Sequence, residues 1–306
     1  MPQETRRGLL FAISAYTCWG FVPLYFKLFG RIPAGELLVH RIVWSALFVG
    51  LILVVLKRLP QLAPYFRSPK TLLILGAAAG FVAINWVVFI WATNHGHLLE
   101  TSLGYYINPL INVLFGLLFL GEKLRRLQWL AVALAFTGVG LQMITLGEIP
   151  VIALTLAFSF GAYGLMRKLI RVSALEGLFI ETLLLLLPML LYFYFFTPAE
   201  SLRIASNETS FAFLLLAAGP VTSIPLILFA AGVNRLNYST MGFIQYLAPT
   251  IVLITAIGWF DEVLVWQKAM TFICIWVALA IYSLDSLYTA RKSRRYNIAK
   301  GSEAQK

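Results

Sequence analysis

Residues 101–122 read TSLGYYINPLINVLFGLLFLGE, and residues 241–262 read MGFIQYLAPTIVLITAIGWFDE. The first stretch places Pro109 three residues after Tyr106 and Glu122 thirteen residues after the proline. The second keeps those spacings in Tyr246, Pro249 and Glu262, displaced by 140 residues. Each Tyr-x-x-Pro lies inside an apolar run, and each acid stands at the end of that run. A short charged hinge then leads into a second apolar run, which in the first copy reaches Ile144. The displacement is close to half of the 306-residue chain. An internal repeat of that size decides the architecture before any single residue does. The repeat extends outward, since Ala34-Gly35-Glu36 matches Ala174-Leu175-Glu176 at the same displacement and Arg41 falls on Glu181.

The solvent for such a chain follows from its composition. Hydrophobic residues make up 60% and charged residues 12%, against roughly 25% charged in soluble domains. A soluble fold would leave much of that apolar surface in water, so the bilayer is the natural medium. Cys18 and Cys274 both lie in apolar runs, which points to small buried hydrophobes and not to a disulfide framework. Arg6 and Arg7 before an apolar run resemble a secretory or twin-arginine signal. No small-residue cleavage site follows, so the run reads as an uncleaved first span with anchoring charges.

A helical span needs about 20 mostly apolar residues. Windows free of Asp, Glu, Lys and Arg cover 8–26, 42–56, 71–99, 101–121, 127–147, 149–166, 182–199, 209–234, 236–260 and 269–284. The second window extends back to about Leu37 if Arg41 is admitted, and the seventh to about Leu178 if Glu181 is admitted. The last helix is expected to start near Val263 and to admit Lys268. Barrel strands would be about ten residues long and alternate apolar with polar. These runs are longer and apolar on all sides, so helices are expected. With the N-terminus cytoplasmic, nineteen of the 24 Lys and Arg residues fall in cytoplasmic connections or the C-terminal tail. The net charge of +11 is thereby explained by topology, and no nucleic-acid partner is expected. The tail from Arg291 reads as a solvated anchor.

Ten spans and a 140-residue displacement give five helices per repeat. Five is odd, so the second copy enters from the opposite face, and a pseudo-twofold axis in the membrane plane relates the halves. The expectation is an all-α polytopic membrane protein with ten transmembrane helices in two inverted five-helix repeats, 8–147 and 149–287, followed by a basic cytoplasmic tail, 288–306. Inverted repeats of this kind recur in secondary transporters, with substrate held near the midplane between them.

Several stretches carry a family resemblance. They are His40-Arg41-Ile42-Val43-Trp44-Ser45, Asn85-Trp86, Ser102-Leu103-Gly104-Tyr105-Tyr106-Ile107-Asn108-Pro109 and Gly121-Glu122. In the second half come Tyr163-Gly164-Leu165-Met166-Arg167-Lys168, Glu181-Thr182-Leu183 and Gln245-Tyr246-Leu247-Ala248-Pro249-Thr250. From about Gly8 to Leu287 the chain resembles the RarD branch of the EamA family, in the drug/metabolite transporter superfamily. The resemblance implies a bacterial inner-membrane permease with ten helices in two EamA repeats, moving a drug or metabolite without fixing which one; the cytoplasmic placement of both termini comes from the Lys and Arg distribution and the even span count. The second repeat carries Asp261-Glu262 where the first has Gly121-Glu122.

The residues that could carry function are the polar groups at depth. A charge near a span centre costs about 2.5–3.5 kcal/mol on insertion scales, so it is paired or faces a cavity. Arg41 could hold an anionic substrate group, and Glu181 a cation or proton. His40 could titrate in a proton-coupled cycle. Asn85, Trp86, Asn108 and Asn112 need a partner helix or the pore, and Thr222 with Ser223 occupies the corresponding region of the second half. Pro109 and Pro249 each remove a backbone donor one turn after Tyr106 and Tyr246, and Gln245 precedes the second of these motifs. Trp44 joins Trp19 and Trp86 as an aromatic ring well inside a span. Gly76 to Gly80 and Gly138 to Gly140 are expected to let helices approach closely. Glu122 and Glu262 could cap or lock gates with basic residues such as Arg125 or Lys268, or mark solvated helix ends. His95 and His97 have metal-like spacing but no third ligand, so no metal or cofactor is expected.

These residues point to a secondary transporter that moves a small organic or drug-like molecule by alternating access. The lipid bilayer and the substrate are its partners, with a proton gradient as one source of coupling. No nucleotide-binding signature is present, and no nucleophile–base pair or acid dyad stands at a known spacing, so an enzyme is not expected. A channel or a ligand sensor without a carrier cycle is the alternative. The oligomeric state has no signal in the sequence.

Overall fold

The computed structural model describes residues 3–26, 28, 34–95, 97–146, 149–170, 172–196, 209–260 and 266–303, and among them there is no strand. The first half of the chain forms α1 (Gln3–Phe26), α2 (Ala34–Val55), the short α3 (Ala63–Phe66), α4 (Pro69–Asn94), α5 (Leu98–Phe119) and α6 (Arg126–Leu146). The second half forms α7 (Val151–Ile170), α8 (Ala174–Phe196), α9 (Thr209–Val233), α10 (Tyr238–Gln245), α11 (Leu247–Phe260) and α12 (Trp266–Glu303). Local chemistry sets several of these ends. Ser68 caps α4 by accepting the Thr71 N–H at 3.3 Å, with Pro69 in the first turn, where its missing donor costs nothing. Gly121, at φ 62°, turns the chain sharply after α5, a conformation glycine adopts without a Cβ penalty.

Among the described residues helix occupies most of every expected window, but eight helices are long and apolar enough to cross a membrane. They are α1, α2, α4, α5, α6, α8, α9 and α12. The other two windows differ for physical reasons. The twenty residues of α7 close on Arg167 and Lys168, which lower its apolar character. The window 236–260 is split at Tyr246 into pieces of 8 and 14 residues. Pro249 has no N–H to donate to the Gln245 carbonyl four residues back, and the Tyr246 N–H turns to the Phe243 carbonyl at 3.3 Å. Pro109, its counterpart, stays inside an unbroken α5. The repeated motif therefore takes two different backbone forms.

The helices pack in a pattern that the repeat makes simple. α2 packs on α8, α6 on α12, and α5 on α10, so each lies against its own counterpart 140 residues along the chain. α7 packs on α4 and α5, while α1 packs on α9 and on α10 with α11. α2 also packs on α9, and α8 on α4. Exchanging each helix for its counterpart maps these principal neighbours onto themselves.

Apolar side chains cover the outside of the protein as well as its interior, where several polar groups join them. Leu73, Phe136, Ile144 and Leu187 point outward, while Asn108, Asn112, Arg167 and Glu181 lie inside. One core gathers Tyr16, Tyr163, Phe229 and Tyr238. The other gathers Val139, Phe243, Tyr246 and Phe272. Trp19 packs on Tyr16, Phe160 and Phe229 in the first of these.

The close helix approaches are not all where small residues cluster. A Cβ at Gly76 would meet only one atom, at 3.9 Å, and one at Gly80 or Gly140 would meet nothing within 4 Å. At Gly138 it would stand 2.9 Å from the Cys274 Cβ, so of these positions Gly138 does the close packing. The tightest backbone approach is at Gly219, where a Cβ would fall 2.5 Å from the Trp44 carbonyl oxygen. Gly219→Ala is expected to destabilise the protein by about 1–3 kcal/mol, the usual cost of overpacking, whereas Gly80→Ala is expected to be neutral. Thermal unfolding of the two purified variants in detergent compares them directly, and equal melting temperatures would count against the α2–α9 contact.

Candidate functional site

α2 carries Arg41 into the helix assembly, where its guanidinium lies over two aromatic rings. The Trp86 ring centroid from α4 is 4.5 Å away and that of Phe26 from α1 is 4.9 Å. Both are within range of a cation–π attraction, which strengthens on desolvation. The Arg41 Nε–H donates to the Thr222 hydroxyl of α9 at 3.1 Å. Among the described residues no carboxylate pairs with Arg41. The geometry fixes the plane and inner edge of the guanidinium and leaves its two terminal amino groups as donors, and an arginine so held presents a planar fork suited to a carboxylate or similar anion.

Beside it on α2, the Trp44 Nε1–H donates to His40 Nδ1 at 3.2 Å. Indole nitrogen can only donate, so His40 Nδ1 is the acceptor and carries no proton in this arrangement. His40 Nε2 then faces Glu36 Oε1 at 4.0 Å. Trp44 thus orients a histidine, and Trp86 supports the arginine.

Deeper in the assembly lies a buried amide cluster. Asn108 donates to the Ala157 carbonyl at 2.5 Å. Gln245, at the end of α10, donates to Asn108 Oδ1 at 2.5 Å and accepts from Asn112 at 2.8 Å and from the Tyr16 hydroxyl at 3.3 Å. Asn85 is separate from this cluster and donates to the Leu156 carbonyl at 2.8 Å and the Ser159 hydroxyl at 3.1 Å. The Tyr246 hydroxyl reaches the Tyr106 carbonyl at 3.2 Å, and the Tyr106 ring packs edge-on against Phe272. Amides are costly in a dry interior unless paired, and every one of these side chains has at least one partner.

Glu181 lies apart from Arg41. It pairs with Arg167 Nη1 at 3.1 Å, and the Tyr163 hydroxyl approaches its other oxygen at 3.4 Å. Both members of the pair are buried, and Arg167 is 0% exposed. Arg167 Nη2 also donates to the Ser173 and Ala174 carbonyls at 3.4 and 3.3 Å. The charge pattern counts Arg167 among the nineteen basic residues of the cytoplasmic connections and tail, whereas the structure places it inside α7 and buried. Its neighbour Lys168 donates to the Val233 and Leu236 carbonyls. Nothing in the local pattern around Arg167 distinguishes it from Lys168; the one hint is Glu181, an acid within a span that needs a cation.

Arg125 pairs with Asp285 at 2.5 Å and not with Glu122, whose oxygens accept backbone N–H groups of α10. Glu262 lies outside the described residues. An apolar groove of about 430 Å³ between α4 and α7, lined by Phe81, Ile84, Leu154, Thr155, Phe158 and Ser159, lies away from Arg41 and opens beside the exposed side chains Ile84 and Phe158.

A family model described as the EamA-like transporter family matches residues 6–144. Protein RarD of Salmonella typhi is 47% identical over 290 residues, covering 95% of this chain and 99% of that one. The chain belongs to the EamA-like transporter family, in its RarD group. An uncharacterized transporter of Vibrio cholerae is 44% identical over 293 residues, covering 96% of this chain and 97% of its own. A crystal structure of a protein 19% identical in sequence has the same fold, with a TM-score of 0.72 over 90% of this chain and 97% of that one. The family match and the apolar helices together make this RarD-group protein a membrane-embedded transporter.

Proposed function

We propose that the chain is a secondary transporter of the bacterial inner membrane that carries a small organic molecule with an anionic group, bound at Arg41. Arg41 carries this reading, because it is a cation inside a span with no carboxylate partner among the described residues. Its aromatic platform suits an organic body next to the anion. In this reading ten membrane-crossing segments form two inverted five-helix repeats, with α7 and the split α10–α11 as the two that composition alone does not mark. The exchange symmetry of the helix neighbours supports it. Alternating access follows as the relative rocking of the two repeats about the Arg41 and amide region. His40 is the group positioned to couple protons.

Counterflow in proteoliposomes tests the proposal, using amino acids, chloramphenicol and other small metabolites with and without a pH gradient. A carrier gives transient uptake of label driven by unlabelled compound on the far side, and anionic compounds are expected to dominate. A channel gives equilibration without counterflow. Binding without flux would mark a sensor. Either of those results would displace the carrier reading.

A further inference from the structure

We propose that Glu122 is a detachable cap that latches the N-terminal end of α10, and that its release lets α10 carry the amide cluster open; this rests on the carrier reading above. α10 starts at Tyr238, and its own N-cap residue Asn237 makes no side-chain cap bond. First-turn N–H groups need acceptors. Glu122 supplies them: Oε1 accepts the Tyr238 N–H at 2.5 Å, and Oε2 accepts the Ser239 N–H at 2.9 Å and the Ser239 hydroxyl at 2.5 Å. A carboxylate there also complements the helix dipole. This cap comes from the end of α5, in the other repeat.

Two glycines are shaped around the cap. Gly121 turns the chain at φ 62°, and the Glu122 N–H donates back to the Gly116 carbonyl at 2.9 Å. A Cβ at Gly116 would stand 2.7 Å from Glu122 Oε2 and 2.9 Å from Ser239 Oγ. Only glycine leaves room for the carboxylate.

α10 can move as a unit. It is eight residues long and is separated from α11 by the break at Tyr246. Its Tyr238 hydroxyl donates to the Gly161 carbonyl, and Thr240 meets the Tyr282 hydroxyl, so both side chains bond within the second repeat. Among the described residues the hydrogen bonds from α10 to the first repeat sit at its two ends, with Gly242 packed between them against the Pro109 carbonyl. Glu122 holds the start, and Gln245 with Asn108, Asn112 and Tyr16 holds the finish. Rocking one repeat against the other strains those two fastenings first.

Hydrogen–deuterium exchange by mass spectrometry on the purified full-length protein tests the latch without any substrate. In Glu122→Ala, amides of residues 242–245 are expected to exchange about tenfold faster, as for loss of a cap that holds a whole unit. Glu122→Gln keeps one acceptor oxygen and should fall between. Gly116→Ala removes no charge and should reproduce the alanine result by evicting the carboxylate. Acceleration confined to residues 238–241, or none, would show that packing alone holds α10 and would overturn the proposal. A second arm locks the latch. The 2.9 Å from the Gly116 Cβ position to Ser239 Oγ matches the reach from Cβ to the far sulfur of a disulfide, about 3 Å. Gly116→Cys with Ser239→Cys, in a Cys18→Ala, Cys274→Ala background, is assayed by counterflow of a radiolabelled amino-acid mixture. Oxidation should cut counterflow about tenfold or more relative to the reduced form of the same protein, with recovery in reductant. Equal counterflow in both forms would overturn the latch. Absent counterflow in the unmodified protein would count against the carrier reading, and the exchange data would then decide the latch alone.

Discussion

Arg41→Gln is expected to weaken substrate affinity about 30-fold or more while the purified protein stays folded. Truncating one partner of a buried charge pair costs about 2–5 kcal/mol, and each 1.4 kcal/mol is about tenfold in affinity. Folding should be spared, because the side chain makes only one hydrogen bond and two ring contacts with described residues, and an intramembrane cation is itself costly to insert. Arg41→Lys is expected to restore little. An ammonium keeps the charge but cannot stack a planar group on the Phe26 and Trp86 rings or present a planar fork. The measurement is KM and maximal rate for whichever panel compound gives counterflow, alongside the size-exclusion profile. A glutamine variant with unchanged KM would remove Arg41 from the binding site.

Loss of Arg167 or Glu181 alone is expected to cost about 3–5 kcal/mol of stability, because each deletion strands the opposite charge in a dry interior. The pair is almost wholly buried, with side chains 1% and 2% exposed. Replacing both by apolar residues, Arg167→Met with Glu181→Leu, should recover most of that loss, since a well-packed apolar pair matches a buried ion pair. Gly177→Ala offers a control that changes no charge. A Cβ there would fall 1.8 Å from Arg167 Nη1, so the guanidinium has to leave its site. Its melting temperature is expected to drop with those of the single charge variants. A stable Gly177→Ala protein, or a double variant as unstable as the singles, would mean that the pair is not a structural fastening. Reduced flux in Glu181→Gln would then be free to report on substrate or proton handling.

Apolar run length was enough to establish a helical membrane protein, and motif displacement to raise the expectation of a two-part chain. Both are one-dimensional properties: a span is a count of apolar residues, and a repeat is a fixed offset. The ordered motifs around His40, Asn108 and Gln245 likewise point to the RarD group from sequence alone. Arg41 and Glu181 stood out because charge is expensive in hydrocarbon wherever it sits.

Which partner each of these finds was decided by tertiary structure. Arg41 meets aromatic rings from α1 and α4, whereas Glu181 meets Arg167, a cation that the charge pattern counts in a cytoplasmic connection. Glu122 faces backbone N–H groups and not a basic side chain. Pro249 coincides with a helix break and Pro109 does not. Gly219 is crowded by a neighbouring backbone and Gly80 faces open space. In each case the outcome depends on the rotation and offset of helices far apart in sequence, to within an ångström or two. A hydrogen bond or a van der Waals clash changes sign over that distance, while hydrophobicity averaged along a helix does not change at all. The sequence by itself therefore determined the medium and the element type, and only the packed structure decided which polar atoms meet.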